Sequence, residues 1–288
     1  MDYFYSKKYL DEGLLAHPLF EPMIDYLVKN RSQEIILREL KKEFPQKKFE
    51  HFLDQMIEAG LIMRKNRRYH LSFPVFEEGE CQEDIERLKE QMIQELSDYT
   101  QEERKLALSE TIWSNCFEEE TDYFYATAFP VETIKKVTAG NEDYQFVTLQ
   151  LGNTEQVSLP NYFDLQKKQS MMPEAFSPIV QLIGDVNEEY FFDQVEVILE
   201  RILKHKFKER RRNVFLDVLL STNVIKKENE YQLVLPVMDA QAHSDIFFDR
   251  LDHLAPSERV YVKEQAFRSV MKYFDIRNYN YIKMIHNC

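Results

Sequence analysis

Glycine is scarce in this chain, at 6 of 288 residues, and so are cysteine, at 3, and tryptophan, at 1. So few glycines leave little backbone able to wrap closely around a phosphate, which disfavours cofactors cradled by main-chain amides. No Gly-Lys-Ser/Thr phosphate loop, Gly-x-Ser-x-Gly nucleophile elbow or His-Glu-x-x-His pair occurs, so the familiar local signatures of catalysis are missing. Acid–base pairs assembled from distant positions leave no such signature. The expectation is a non-catalytic protein with no cofactor and no metal. Cys81, Cys116 and Cys288 are odd in number and widely spaced, which implies reduced, passive thiols rather than a disulfide framework or a zinc ribbon. No apolar run approaches the ~18 residues of a membrane-spanning helix. The start, Met1 to Lys8, lacks the charged-then-apolar order of a secretory leader. A cytoplasmic setting without membrane contact is expected.

What the chain does have is apolar mass, 44% of it hydrophobic with 21 Phe and 16 Tyr, enough to bury a core in each of two domains. It is also acidic. The formal net charge of -13 argues against indiscriminate coating of nucleic acid, because phosphate binding rests on Lys and Arg displacing counterions. The excess is concentrated between Glu77 and Asp122, where sixteen Asp and Glu face only Arg87, Lys89, Arg104 and Lys105.

The chain repeats itself. Leu40-Lys41-Lys42-Glu43-Phe44 matches Leu203-Lys204-His205-Lys206-Phe207, and Phe52-Leu53-Asp54 matches Phe215-Leu216-Asp217 at the same offset. Tyr69, Leu71, Pro74 and Val75 correspond to Tyr231, Leu233, Pro236 and Val237, with one residue fewer in the intervening turn. Upstream, Leu19 to Ile24 resembles Ala175 to Val180, and Tyr3-Phe4 resembles Tyr162-Phe163. The second copy carries an insertion around Glu188 to Gln194, before its second helix. A period this long means domain duplication rather than a solenoid.

In the first copy Pro18 suits an opening helical turn, and Phe20, Met23, Ile24 and Leu27 form one apolar stripe. Ser32 is placed to cap a second helix burying Ile36, Leu37, Leu40 and Phe44. Phe49, Phe52, Leu53, Met56 and Ile57 form a third, ended by Gly60. Two short strands around the tip Lys65-Asn66-Arg67-Arg68 complete a winged-helix order, and the second copy repeats it with a third helix from about Arg211 to Ser221. Helices are expected at Asp84–Leu96 and through Leu108 to Trp113, strands between Tyr123 and Leu159, and helices again at Asp245–Leu254 and Val260–Phe274. The expected fold class is therefore mainly α with small β elements (α+β). Its parts are a winged-helix-like copy at 1–76, an acidic helical segment packing on it at 77–122, a small β-rich connector at 123–159, a second copy at 160–238, and C-terminal helices at 239–288.

The run from His17 to Leu27, followed by Ile36 to Pro45, resembles a small uncharacterised domain family of low-GC Gram-positive bacteria. The likeness covers about the first quarter of the chain, and it implies a bacterial cytosolic setting with no assigned function.

The candidate surfaces are basic. Lys204, Lys206, Lys208, Arg210, Arg211 and Arg212 lead into the third helix of the second copy. Three arginines at a helix N-terminus oppose the macrodipole, so double-stranded DNA is expected as a partner. Arg210, Arg211 and Arg212 would make phosphate or base-edge contacts, and Lys206 and Lys208 would act as positioning charges. The plainer reading is a solvated charge run. The first copy offers Lys47, Lys48, Arg64, Lys65, Arg67 and Arg68, yet Glu50, Asp54 and Glu58 run along the exposed side of the same third helix, which suits a protein partner better. The principal expectation is a regulatory DNA-binding protein acting mainly through the second copy. The alternatives are a protein–protein adaptor and an enzyme with an unrecognised site. The acidic segment is either an ordinary soluble face or an internal competitor for the basic surfaces. His243, Asp245, Asp249, Asp252 and His253 lie close together in sequence, and on a helix Asp245, Asp249 and either Asp252 or His253 would share a face able to hold a divalent metal, although a cap with a polar face explains them more simply. The clusters Asp2-Tyr3-Phe4-Tyr5 and Asp122-Tyr123-Phe124-Tyr125 are expected to pack rather than to stack bases.

Overall fold

The structure, a computed structural model, describes residues 1–9, 12–209, 211–239, 246 and 248–285, with the backbone alone at Lys7, Glu12 and Asp239. The first half runs β1 (Asp2–Tyr5), α1 (Glu12–Leu15), α2 (Phe20–Lys29), α3 (Leu37–Glu43), α4 (Phe49–Glu58), β2 (Ile62–Lys65), β3 (Arg68–Leu71), β4 (Val75–Phe76), α5 (Gln82–Glu95), α6 (Gln101–Ala107), a π-helical turn (Leu108–Ile112), α7 (Trp113–Phe117) and β5 (Phe124–Thr127). The second runs β6 (Ile134–Gly140), β7 (Tyr144–Leu151), α8 (Leu159–Lys167), α9 (Ser177–Ile183), α10 (Glu188–Leu203), α11 (Val214–Ser221), β8 (Ile225–Lys227), β9 (Tyr231–Leu233), β10 (Val237–Asp239), α12 (Pro256–Tyr273) and β11 (Asn278–Met284). The fold is mixed α and β, and compatible with the α+β class. Among the described residues no helix is long and apolar enough to cross a membrane.

The apolar spacings fold as helices because each puts its large side chains on one side. Phe20, Met23, Ile24 and Leu27 of α2 and Phe49, Phe52, Leu53 and Met56 of α4 are all buried in one core, each contributing roughly 1.5–3 kcal/mol on leaving water. Gly60, with φ +73, turns the chain out of α4 at a left-handed position that a Cβ would strain. Asn66 and Arg67, both with positive φ, make the two-residue turn between β2 and β3, the geometry that matches strand twist. In the second half Phe191, Phe192, Val195 and Leu199 of α10 pack with Leu216 and Leu219 of α11. The β6–β7 hairpin turns beside Gly140, where a Cβ would sit 2.1 Å from the Tyr144 carbonyl oxygen.

Several expectations are corrected. Ser32 does not cap α3. The Ile36 amide donates instead to the Glu39 carboxylate at 3.1 Å, Ile36 is exposed, and Ile35 takes its place in the core. The insertion at Glu188–Gln194 does not precede a helix but lengthens one, so α10 has 16 residues where α3 has 7. Helix α11 starts at Val214, not Arg211, because the Asn213 side chain accepts from the Phe215 and Leu216 amides and fixes the cap there. Tyr3 and Phe4 lie in strand β1 while Tyr162 and Phe163 lie in helix α8, so that upstream match is not structural. Residues 248–250 are irregular and 252–254 form a turn rather than a helix. The C-terminal stretch is not all helical either, since β11 is an interior strand of a four-stranded sheet.

Contacts group the chain differently from the expected linear boundaries. One compact unit comprises Met1–Gln94, Trp113–Val131 and Phe247–Phe267; the other comprises Glu95–Ile112, Glu132–Ile246 and Arg268–Cys288. Each unit thus includes a helical stretch from the opposite half of the chain. The acidic segment does not belong wholly with the first copy, and the 123–159 connector is divided, β5 going to one sheet and β6–β7 to the other.

The two units share a strand plan. One sheet has the order β1-β5-β4, with β5 antiparallel to β1 and parallel to β4. The other contains β7-β11-β10, with β11 antiparallel to β7 and parallel to β10, and β6 added at the edge. Hydrogen bonds recur at the repeated positions. The Leu61 amide donates to Met56 at 3.0 Å and Val224 to Leu219 at 2.9 Å; Ser72 donates to Leu61 at 3.0 Å and Val234 to Val224 at 2.9 Å. Ala126 donates to the Pro74 carbonyl at 3.1 Å, and Ile282 to that of Pro236 at 2.9 Å.

Candidate binding surfaces

The basic run of the second half lies in the connection between α10 and α11, ahead of the helix rather than on it. Lys204 pairs with Glu200 at 3.1 Å and Arg212 with Asp217 at 3.1 Å. Lys206, Lys208 and Arg211 are exposed, and no ion pair involves them among the described residues. Arg210 lies outside the described residues. Glu209 interrupts the charge, accepting from Lys227 at 3.0 Å and from the Tyr231 hydroxyl. The two ligands hold its carboxyl below the ordinary range, the Tyr231 and Lys227 hydrogen bonds leading. Asp217, in the first turn of α11, answers the charge of Arg212 locally and so weakens the macrodipole argument.

In the first half Lys47 and Lys48 immediately precede α4 and are exposed, as are Arg64, Lys65 and Arg67 along and beyond β2. Arg68 is half-buried and tied to Glu34, and Arg64 lies over the Tyr69 ring at 5.7 Å. Along α4, Glu50, Asp54 and Glu58 are exposed, and Glu50 holds Lys41 at 2.6 Å. The outward side of α11 is mixed: Val214 and Ser221 are exposed and Phe215 and Asp217 half-buried, with Tyr190 of α10 against the Phe215 ring at 6.0 Å.

The sequence reading missed an acidic cleft of about 1010 Å³ in the second unit, lined by Glu142, Asp143, Asp185, Glu188, Glu189, Asp193 and Glu196. Asn141 shapes its wall, donating to Asp193 at 3.3 Å and Glu196 at 2.7 Å while its own oxygen accepts from the Asp143 and Tyr144 amides. Lys167 answers Glu188 at 2.6 Å. The helical spacing of Glu189, Asp193, Glu196 and Glu200 was visible in the sequence. Its conjunction with the 140–145 hairpin was not.

Also unforeseen is a buried tyrosine–glutamate pair in each unit. The Tyr125 hydroxyl of β5 donates to Glu264 of α12 at 2.9 Å. The Tyr281 hydroxyl of β11 donates to Glu110 of the π-helical turn and lies 2.9 Å from the Ser109 hydroxyl. Glu110 further holds Lys136 at 3.1 Å and Lys283 at 2.6 Å. Burial pushes the Glu110 carboxyl up, but Lys136, Lys283 and Tyr281 outweigh it, so the net shift is downward. Burial, and then the Glu110 charge, raises Tyr281. These groups satisfy one another, an arrangement that anchors rather than activates. Cys116 is buried, and burial raises its thiol, which suits a passive core residue.

Of the expected metal set, His243 and Asp245 lie outside the described residues. Asp249 accepts from the Leu251 amide at 2.8 Å and lies 3.5 Å from Arg87, and His253 lies 3.5 Å from Asp84. Among the described residues no group of three or more His, Cys, Asp or Glu could hold a metal ion. The two aromatic clusters meet as paired strands, with Phe4 stacked on Tyr125 at 4.7 Å and Tyr5 on Phe124 at 5.6 Å.

The fold defines a mixed α/β protein. Residues 2–112 match the family model described as "Domain of unknown function (DUF1803)". The match runs past the hairpin through α5, α6 and the π-helical turn, so it includes Ser109 and Glu110. No curated protein matches the chain, and no solved structure does.

Proposed function

We propose that the two halves are diverged copies of one winged-helix-like unit, and that the protein is a non-catalytic cytoplasmic adaptor that docks a protein partner through its second half. The recurring hydrogen bonds at Leu61/Val224, Ser72/Val234 and Ala126/Ile282 support the duplication. The observation that carries the binding reading is the outward side of each third helix, the element a winged helix presents to the major groove. On α4 it is acidic, which repels phosphate; on α11 it is Val214 with Asp217 and Ser221, and the helix carries no lysine or arginine to meet phosphates.

What α10 and α11 do present resembles the centre of a protein interface. Tyr190 is 54% exposed and Val197 48% exposed, two turns apart on one side of α10, with Val214 and Phe215 alongside in sequence on α11. Glu189, Asp193 and Glu196 accompany them on α10. An aromatic and aliphatic centre with an acidic border fits a partner with an apolar anchor and a basic rim. The second reading, contact with duplex DNA, is favoured by the exposure of Lys206, Lys208 and Arg211.

One experiment separates them. Fluorescence anisotropy is measured with a labelled amphipathic Lys/Arg-rich peptide and with random duplex DNA, at low and moderate salt. The adaptor reading expects saturable peptide binding, weakened at least ~10-fold by Tyr190→Ala and made less salt-sensitive by Glu189→Gln with Asp193→Asn. Absence of peptide binding by the folded protein sinks it. Salt-sensitive DNA binding lost on changing Arg210, Arg211 and Arg212 to Ala transfers the conclusion to DNA.

A further inference from the structure

We infer that the first unit carries a site for a small organic carboxylate, in the pocket between α2, the α2–α3 connection and β3. The pocket measures about 260 Å³. At ~30 Å³ for each water-sized group, that is room for a body of under about ten non-hydrogen atoms. Its floor and walls are Leu27, Ile35, Tyr69 and Phe73, each less than a tenth exposed. Arg31 and His70 stand at it with no ion pair to either among the described residues. Apolar walls with a few convergent polar groups are the usual make-up of a small-molecule site.

The charge of the lining selects the ligand. In a chain with 50 Asp and Glu, no carboxylate lines this pocket, whereas the cleft of the second unit is lined mainly by them. Glu34, which lies in sequence between the lining residues Gln33 and Ile35, is tied to Arg68. An anionic head therefore meets the Arg31 guanidinium without a competing carboxylate, and a planar carboxylate matches its fork of donors. The tail displaces water from the Leu27, Ile35 and Phe73 surfaces, which supplies the non-directional part of the affinity. The repeat does not carry this chemistry to the second half, where the matching Tyr231 donates to Glu209. The site is independent of whether the macromolecular partner is protein or DNA.

The test is a titration of the full-length protein, followed by NMR of its Leu, Ile and Val methyl groups, with hexanoate and benzoate as probes and hexylamine and hexanol as comparators. Saturable shifts confined to Leu27, Val28, Ile35, Leu71 and Val75 are expected below about 10 mM, the range open to ligands this small. Arg31→Gln, at an exposed position, should weaken hexanoate about tenfold and leave hexanol unchanged. Leu71→Trp should fill the pocket and abolish both. The inference is overturned by the absence of saturable shifts for either carboxylate, by hexylamine binding as well as hexanoate, or by a folded Leu71→Trp protein that still binds.

Discussion

The segment from α2 to β4 and the segment from α9 to β10 follow the same path with different surfaces. Both set three helices against a two-stranded hairpin and then send the chain into a strand that pairs in parallel with a later one. They differ in helix length, turn and much of the exposed chemistry. The second helix has 7 residues in one and 16 in the other; the hairpin turn is Asn66-Arg67 in one and borders Glu228 in the other. The third helix shows Glu50, Asp54 and Glu58 in one, and Val214 with Asp217 in the other. What persists is a smaller set, Leu53/Leu216 and Ile62/Ile225 in the cores with the recurring main-chain hydrogen bonds, whereas Leu40 is buried and its match Leu203, the last residue of α10, is exposed. The lesson is that one chain path is compatible with two different surfaces.

The comparison breaks most readily at the core. Leu53 and Leu216 occupy matching positions at 2% and 0% exposure, so Leu53→Ala and Leu216→Ala should each cost about 2–5 kcal/mol in urea denaturation. A large cost at one and none at the other would end the equivalence. Next in size is Glu110. Its carboxyl is 13% exposed between Lys136 and Lys283, and Glu110→Gln should cost about 3 kcal/mol at neutral pH by removing the negative charge that both lysines contact. Because the folded carboxyl lies below its ordinary value, this contribution is present above the unfolded pKa and is lost as pH falls through the folded one. The gap between wild type and variant should narrow on acidification, and a gap independent of pH would refute the assignment. Smallest are Tyr125→Phe and Tyr281→Phe, each removing a hydrogen bond to a carboxylate worth ~1.5–3 kcal/mol. Similar costs would sharpen the correspondence of the two central-strand tyrosines.

The helices that seed both cores were legible in the sequence because the helical period of 3.6 places Phe20, Met23, Ile24 and Leu27, or Phe49, Phe52, Leu53 and Met56, on one side whatever lies opposite. Helix starts were less so. Ser32 and Arg211 looked like boundaries, but Glu39 and Asn213 made the actual side-chain hydrogen bonds, and that choice depends on local backbone angles. The candidate sites were least legible. The run Lys204–Arg212 reads as one basic patch, yet in the folded chain Glu200 claims Lys204 and Asp217 claims Arg212, while Glu209 within the run holds Lys227 outside it.

By itself the sequence determined the amphipathic helices, the hairpin turns and the repeated spacing from Leu40 to Val75 and Leu203 to Val237, all consequences of short-range periodicity and turn chemistry. Tertiary structure alone decided that residues 95–112 and 247–267 each join the unit built mainly from the other half. It also decided that Tyr125 finds Glu264, that Tyr281 finds Glu110, and that one pocket excludes carboxylates while another gathers them. Such pairings join residues more than a hundred positions apart. Burial and charge compensation select them, and neither quantity exists until the units have formed.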